Sequence, residues 1–150
     1  MSAKQDWTKP KTTALVLAAG SQSSRDLLKS ELSESTVAQQ ALETLREVIP
    51  AEDIIVVIAE GDTQMRDLLG EDLTYVEQDE PLGTGHAVLC ARDAIPEDAD
   101  LLLVTYADTP LLSSNSLKGL LNRHNLIGGD FSLLTAVIDQ PLPYGRIERG

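Results

Sequence analysis

Three short aliphatic runs constrain this chain more than any other feature: Thr13 to Ala19, Ile54 to Ala59 and Leu101 to Thr105. Each is apolar or β-branched throughout, without the alternation of a strand that has one wet face. Such runs predict strands covered on both sides, as in the interior of a parallel sheet, and parallel strands need long crossovers between them. The intervening segments supply these. From Thr36, residues Val37, Ala41, Leu45 and Val48 recur at helical spacing, with Ser33 or Ser35 as the cap. Thr63 to Leu69 is a short amphipathic segment, and Leu73 to Glu77 is a third, more polar strand. Thr84 can cap a helix through His86, Val88, Leu89 and Ala94. Ser114 opens another, carrying Leu117, Leu120, Leu121 and Asn125 and stopped by Gly128-Gly129. Phe131 to Ile138 reads as a fifth strand, before Pro141 and Pro143. Strand, helix and strand are expected to form right-handed crossover units. The fold class is therefore α/β, a three-layer α/β/α sandwich around a mostly parallel, Rossmann-like sheet.

Residues 1 to 11 are polar and closed by Pro10, which reads as a flexible leader before one domain over residues 12–150. No apolar run approaches the roughly 18 residues that span a bilayer, and the N-terminus has no signal-peptide core. The single cysteine, Cys90, cannot make an internal disulfide and lies in an apolar helical pattern. These features predict a cytoplasmic protein with no membrane partner. The net charge of −12 is uneven: residues 51–100 hold 14 of the 24 acids and only Arg66 and Arg92 as bases. A nucleic-acid surface would need a basic stripe, so no nucleic-acid partner is expected. A small anion could still bind where backbone donors and a divalent cation offset the acidic field.

In open α/β sheets ligands bind beyond the carboxyl ends of the strands. Asp108 follows the run Leu101 to Thr105, and Pro110 stops the strand from continuing. The residues alone leave it open between a turn residue and a metal or substrate ligand. After the first run comes Gly20, then Ser21-Gln22-Ser23-Ser24-Arg25, a small polar loop able to aim backbone N–H groups at phosphate. Without a second or third glycine it meets neither the dinucleotide fingerprint nor the Walker pattern. In the loop Gln78 to Gly85, Gly83 lets a base approach the backbone, and the Gln78 amide can both donate to and accept from a pyrimidine edge. Equally, Gly83 and Gly85 suit turn geometry, His86 a helix start, and Tyr106 the filling of space.

Four motifs stand in one order: Leu17-Ala18-Ala19-Gly20 with a following arginine; Gln78 with Leu82-Gly83-Thr84-Gly85-His86-Ala87; Tyr106-Ala107-Asp108 with Pro110-Leu111; and Tyr144-Gly145-Arg146-Ile147. From about Thr13 to Gly150 the chain thereby resembles the sugar-phosphate nucleotidyltransferases, most closely the uridyltransferase domain of the bacterial bifunctional uridyltransferase/acetyltransferases. The resemblance implies a nucleotide-diphospho-sugar transferase fold and conversion of UTP and N-acetylglucosamine 1-phosphate to UDP-N-acetylglucosamine, a cell wall precursor, and pyrophosphate. It implies that Leu17, Ala18, Ala19 and Gly20 line the nucleotide and that Gln78, Gly83 and Thr84 read the uracil edge. Tyr106, Ala107 and Asp108 would meet the sugar nucleotide, Asp108 would hold Mg²⁺, and Gly145 would contact the sugar. Arg25 and Lys29 would steady the phosphates as the catalytic cations.

The resemblance further implies the N-terminal part of a longer domain, cut before a second metal-binding aspartate, and a homo-oligomer formed through the following region. The 150-residue chain alone is accordingly expected to be inactive. Departures from the family pattern are Ser21 to Asp26 in place of a glycine-rich stretch, the absence of a Gly-Lys-Pro turn before the helix, and Ala107 in place of glycine. Two other readings stand beside this one: a pyrophosphorylase for another sugar phosphate or nucleotide, and a truncated or degenerate relative that binds without turnover.

Overall fold

The computed structural model describes residues 10–139 and 147–148. In chain order the first elements are β1 (Thr12–Leu17), α1 (Gln22–Leu28), β2 (Glu31–Leu32), β3 (Ser35–Thr36) and α2 (Val37–Arg46). Then follow β4 (Ile54–Ala59), α3 (Thr63–Leu69), β5 (Thr74–Gln78), α4 (Thr84–Cys90), β6 (Leu101–Tyr106) and α5 (Ser114–Ile127). Strands β5, β4, β1 and β6 form one sheet in that spatial order, parallel throughout, with Leu17 paired to Val57 on one side and to Tyr106 on the other. The two-residue strands β2 and β3 make a separate antiparallel ribbon.

Because side chains alternate across a strand, β1 and β4 each supply two apolar layers. Ala14, Val16, Ile54, Val56 and Ile58 pack with Leu28 of α1, Leu42 and Leu45 of α2, Met65 of α3 and Leu117 of α5. On the opposite face Leu15, Leu17, Ile55 and Val57 pack with Ala87 of α4 and with Ala91 just beyond it. This is the expected α/β/α sandwich. Aliphatic burial at about 25 cal/mol per Å² is its main source of stability.

Thr13 interrupts this apolar pattern. It is fully buried, and its hydroxyl finds no hydrogen-bond partner among the described residues. An unpaired buried hydroxyl costs about 1–3 kcal/mol, and valine has nearly its shape. Thr13→Val is therefore expected to raise stability by about 1 kcal/mol in urea unfolding; a loss would mean that the hydroxyl is satisfied in solution.

Several local expectations need correction. The run Leu101 to Thr105 was expected inside the sheet with both faces covered, but β6 pairs only with β1 among the described strands. Leu103 is buried, whereas Leu102, Val104 and Tyr106 are 38%, 41% and 44% exposed, because no described helix covers that face of β6. Residues 22–25 were read as loop and lie in α1, which the Ser21 side chain caps and Leu28 anchors in the core. Helix α2 is capped by Thr36 rather than Ser33 or Ser35: Thr36 Oγ1 accepts from Gln39 N at 3.3 Å, and Gln39 Oε1 accepts from Thr36 N at 3.0 Å. Ser33 instead takes a left-handed conformation, φ 67°, between β2 and β3. Thr84 is the first residue of α4 and not its cap, a position taken by Gly83.

Phe131 to Ile138 is not a strand. It pairs with no described strand, so its backbone groups gain no ladder and Phe131 and Val137 stay exposed; apolar composition alone cannot make a strand without a neighbour.

Candidate functional site

The strand order reverses at β1. The chain passes from β1 outward through β4 to β5, then returns to the other side of β1 as β6. Loops leaving β1 and β6 must therefore diverge, which opens a crevice at their carboxyl ends. Sheet pairing continues just past both strands, with Ala107 N donating to Leu17 O at 3.1 Å and Ala18 N donating to Val57 O at 2.8 Å. Both loops consequently start from fixed positions.

A cavity of about 300 Å³ lies there, lined by Leu17, Ala18, Ala19 and Gly20 from the first loop, Gln78, Gly83 and Thr84 from the third, and Tyr106 and Asp108 from the last. Its size is at the small end of ligand pockets. Three separate motifs of the sequence thus converge on one crevice. Ala107 does not line it; its methyl is buried in the core beneath. Gly145, and with it Tyr144 and Arg146, lies outside the described residues.

Each loop has a local cause. Gly20 lets α1 begin at once: a Cβ there would stand 3.0 Å from Ser24 Cβ. Gly83 has φ 101° and ψ −179°, a region that glycine alone occupies without strain of about 1–3 kcal/mol. Gly83→Ala is expected to destabilise by about that amount, although its Cβ would meet nothing within 4 Å. Thermal unfolding of the variant measures it, and an unchanged midpoint would show that the loop relaxes freely. Gln78, at the end of β5, is only 4% exposed; its Nε2 lies 2.8 Å from His86 Nδ1 and donates to Gly83 O at 3.5 Å. The turn after β6 is closed by Thr109 Oγ1, which donates to Tyr106 O at 2.8 Å and leaves Asp108 at the crevice.

The two cations are placed differently from the rest. Neither Arg25 nor Lys29 is among the lining residues. Lys29 Nζ lies 3.0 Å from Asp62 Oδ1, and Arg25 Nε lies 3.7 Å from Asp62 Oδ2. Arg25 also donates to Gly20 O at 2.7 Å and to Gln22 Oε1 at 2.6 Å, which fastens the first loop to its own helix. Asp62 was not identified from the sequence. Its place after Gly61 and before Thr63 is a recognisable cap signal, and its side chain does accept from Met65 N at 3.1 Å. Its link to Lys29, across 33 residues, has no local signature. Asp62→Ala removes the α3 cap and leaves two cations without their partner. A loss of about 1–2 kcal/mol in urea unfolding is expected; stability equal to the parent would mean that water replaces both functions.

Ser21, Ser24, Leu28, Pro81 and Ala87 complete the lining: Ser21 and Ser24 belong to the polar loop read as a phosphate cradle and Ala87 to the glycine-containing motif, whereas Leu28 and Pro81 were not singled out. Asp108 is exposed and forms no ion pair among the described residues. A free carboxylate at the edge of the cleft suits a hard cation that takes oxygen ligands, such as Mg²⁺ or Mn²⁺, with phosphate and water completing the shell. No helix of the described residues is long and apolar enough to cross a membrane.

Solved structures of other proteins show the same fold. The 4-diphosphocytidyl-2C-methyl-D-erythritol synthase of Anaerococcus prevotii superposes with a TM-score of 0.64 at 23% identity, covering 77% of this chain and 52% of that one. The manganese complex of Rv0371c from Mycobacterium tuberculosis superposes with a TM-score of 0.62 at 19% identity, covering 80% and 60%. Among curated proteins, the bifunctional protein GlmU of Heliobacterium modesticaldum is 40% identical over 143 residues, 93% of this chain and 31% of that protein. The GlmU of Mycobacterium tuberculosis is 36% identical over 149 residues, 92% of this chain and 30% of that protein. The chain thus spans about a third of the length of these relatives. The MobA-like NTP transferase domain family matches residues 14–144, and the chain belongs to that family.

Proposed function

We propose that this chain carries the nucleotide-binding part of a uridyltransferase that makes UDP-N-acetylglucosamine and pyrophosphate from UTP and N-acetylglucosamine 1-phosphate. The observation that carries the reading is the convergence of Leu17 to Gly20, Gln78, Gly83, Thr84, Tyr106 and Asp108 on one crevice at the reversal of strand order. The similarity to GlmU proteins over more than nine-tenths of the chain supports the choice of substrates.

In this reaction a phosphate oxygen of the sugar phosphate attacks the α-phosphorus of UTP. The bond from that phosphorus to the bridging oxygen breaks, and pyrophosphate leaves with the electron pair. The nucleophile is already an anion, so the site needs to position and neutralise charge more than it needs a base. Gln78 is suited to select the base, because its buried amide is held in place by His86 and can offer both a donor and an acceptor. Gly83 allows the base to lie against the backbone, and Leu17 to Gly20 form the floor under the nucleoside. Asp108 would hold a divalent cation, which when bound offsets the repulsion between the two phosphate groups. Arg25 and Lys29 would turn from Asp62 toward the phosphates once these arrive.

Calorimetric titration of the chain with UTP and Mg²⁺, with CTP and ATP as controls, tests the reading. Heat with UTP alone is expected; a preference for CTP or ATP points to another nucleotide, and no heat with any of them removes the binding claim. Pyrophosphate release, measured with each candidate sugar 1-phosphate, separates turnover from binding without catalysis.

A further inference from the structure

Outside the crevice, the exposed Asp79, the half-buried His86 and the half-buried Cys90 bring a carboxylate, an imidazole and a thiol within 4.8 Å of one another. We propose that they form a binding site for a thiophilic divalent cation of the zinc class. His86 and Cys90 are four residues apart on α4, so their side chains share one face of the helix. Asp79 is supplied by the turn after β5, and its Oδ1 accepts from Glu80 N at 2.9 Å, which fixes the carboxylate beside the helix.

The spacing fits a tetrahedral ion. With metal–sulfur and metal–nitrogen bonds of about 2.3 and 2.05 Å, the two ligand atoms stand about 3.6 Å apart. Cys90 Sγ is 3.8 Å from His86 Nε2 and 3.9 Å from Nδ1, beside the ring rather than along a nitrogen lone pair, so capture needs the imidazole to turn until Nε2 points at the ion. The other ring nitrogen is already occupied: His86 Nδ1 lies 3.1 Å from Glu80 O. A proton on Nδ1, donated to that carbonyl, leaves the lone pair on Nε2 free to take an ion once the ring has turned toward it. This is the outer-nitrogen arrangement usual for metal-bound histidine. With Nδ1 protonated the Gln78 amide must present its oxygen there, which gives up the 3.5 Å bond from Gln78 Nε2 to Gly83 O.

The donor set of one sulfur, one nitrogen and one oxygen favours zinc over the hard cations suited to Asp108. Three protein ligands leave a fourth position for water or another donor. Binding must displace the thiol proton, so affinity falls on acidification. The three ligands lie outside the crevice lining, so the site can be loaded without nucleotide.

Cobalt(II) is the probe, titrated into the reduced full chain without nucleotide and then displaced with zinc. A thiolate-to-cobalt charge-transfer band saturating at one equivalent is expected, together with intense visible bands of a four-coordinate ion. Cys90→Ser should remove the charge-transfer band. Asp79→Asn and His86→Ala should each weaken binding at least about tenfold, the lower end of what even outer-shell changes cost. Asp79 is exposed, so its variant tests the site without threatening the fold; circular dichroism checks the other two. No charge-transfer band in the parent chain, or one whose affinity is unchanged by both Asp79→Asn and His86→Ala, overturns the proposal.

Discussion

Asp108→Ala is expected to weaken magnesium-dependent UTP binding at least about a hundredfold while leaving thermal stability within about 0.5 kcal/mol of the parent. The first half follows from charge. A triphosphate brings several negative charges into a chain whose net charge is −12, and among the described residues no cationic side chain lines the crevice. Metal bridging of a phosphoryl group supplies several kcal/mol, and each 1.4 kcal/mol is tenfold in affinity. The second half follows from exposure. Asp108 has no ion pair to lose among the described residues, and its removal opens no void in the core. Titrations with and without EDTA, on parent and variant, separate the outcomes. In the parent, EDTA should reproduce the effect of the substitution. If the variant binds UTP in Mg²⁺ as tightly as the parent does, the cation is held elsewhere.

The sequence made the sheet legible because its signal is local and redundant. Each of β1, β4 and β6 is a run that water would penalise at nearly every position, and the polar break after it marks the carboxyl end. Since ligands gather at that end, Gly20, Gln78 and Asp108 stand out by residue type and position, and all three line one crevice. What was not legible depends on partners distant in sequence. Burial of a strand's two faces is decided by what packs on them, and β6 looks like β4 in composition while lacking a described helix on one side. Phe131 to Ile138 failed as a strand for the same reason, having strand-forming residues but no ladder. The helix α1 was hidden by its serines, which are poor helix formers in the interior and good ones at a cap. Arg25 and Lys29 were legible as cations, but their pairing to Asp62 was not, because residue type says nothing about which of the chain's 24 acids folds back against them.

The strand that sets the site also sets its stability, and Leu15→Ala measures this. Leu15 is fully buried in β1, flanked by β4 and β6, and packs on the face covered by the small residues Ala87 of α4 and Ala91 just beyond it. Alanine methyls cannot extend to fill the space left by a leucine, and strands paired on both sides cannot close in, so little relaxation is available. Cavity-forming substitutions of this kind cost about 2–5 kcal/mol, and the upper half of that range is expected here. A domain of this size holds about 5–15 kcal/mol in all, so the variant should unfold at markedly lower urea with an unchanged denaturant slope. Leu17, two residues on and facing the same way, lines the crevice itself. Because Leu15 lies one layer below the ligand, UTP affinity measured on the folded fraction should stay within about threefold of the parent. An affinity that fell in step with stability would mean that β1 does not hold the crevice as a rigid frame, and that the loops find their positions only when the nucleotide is bound.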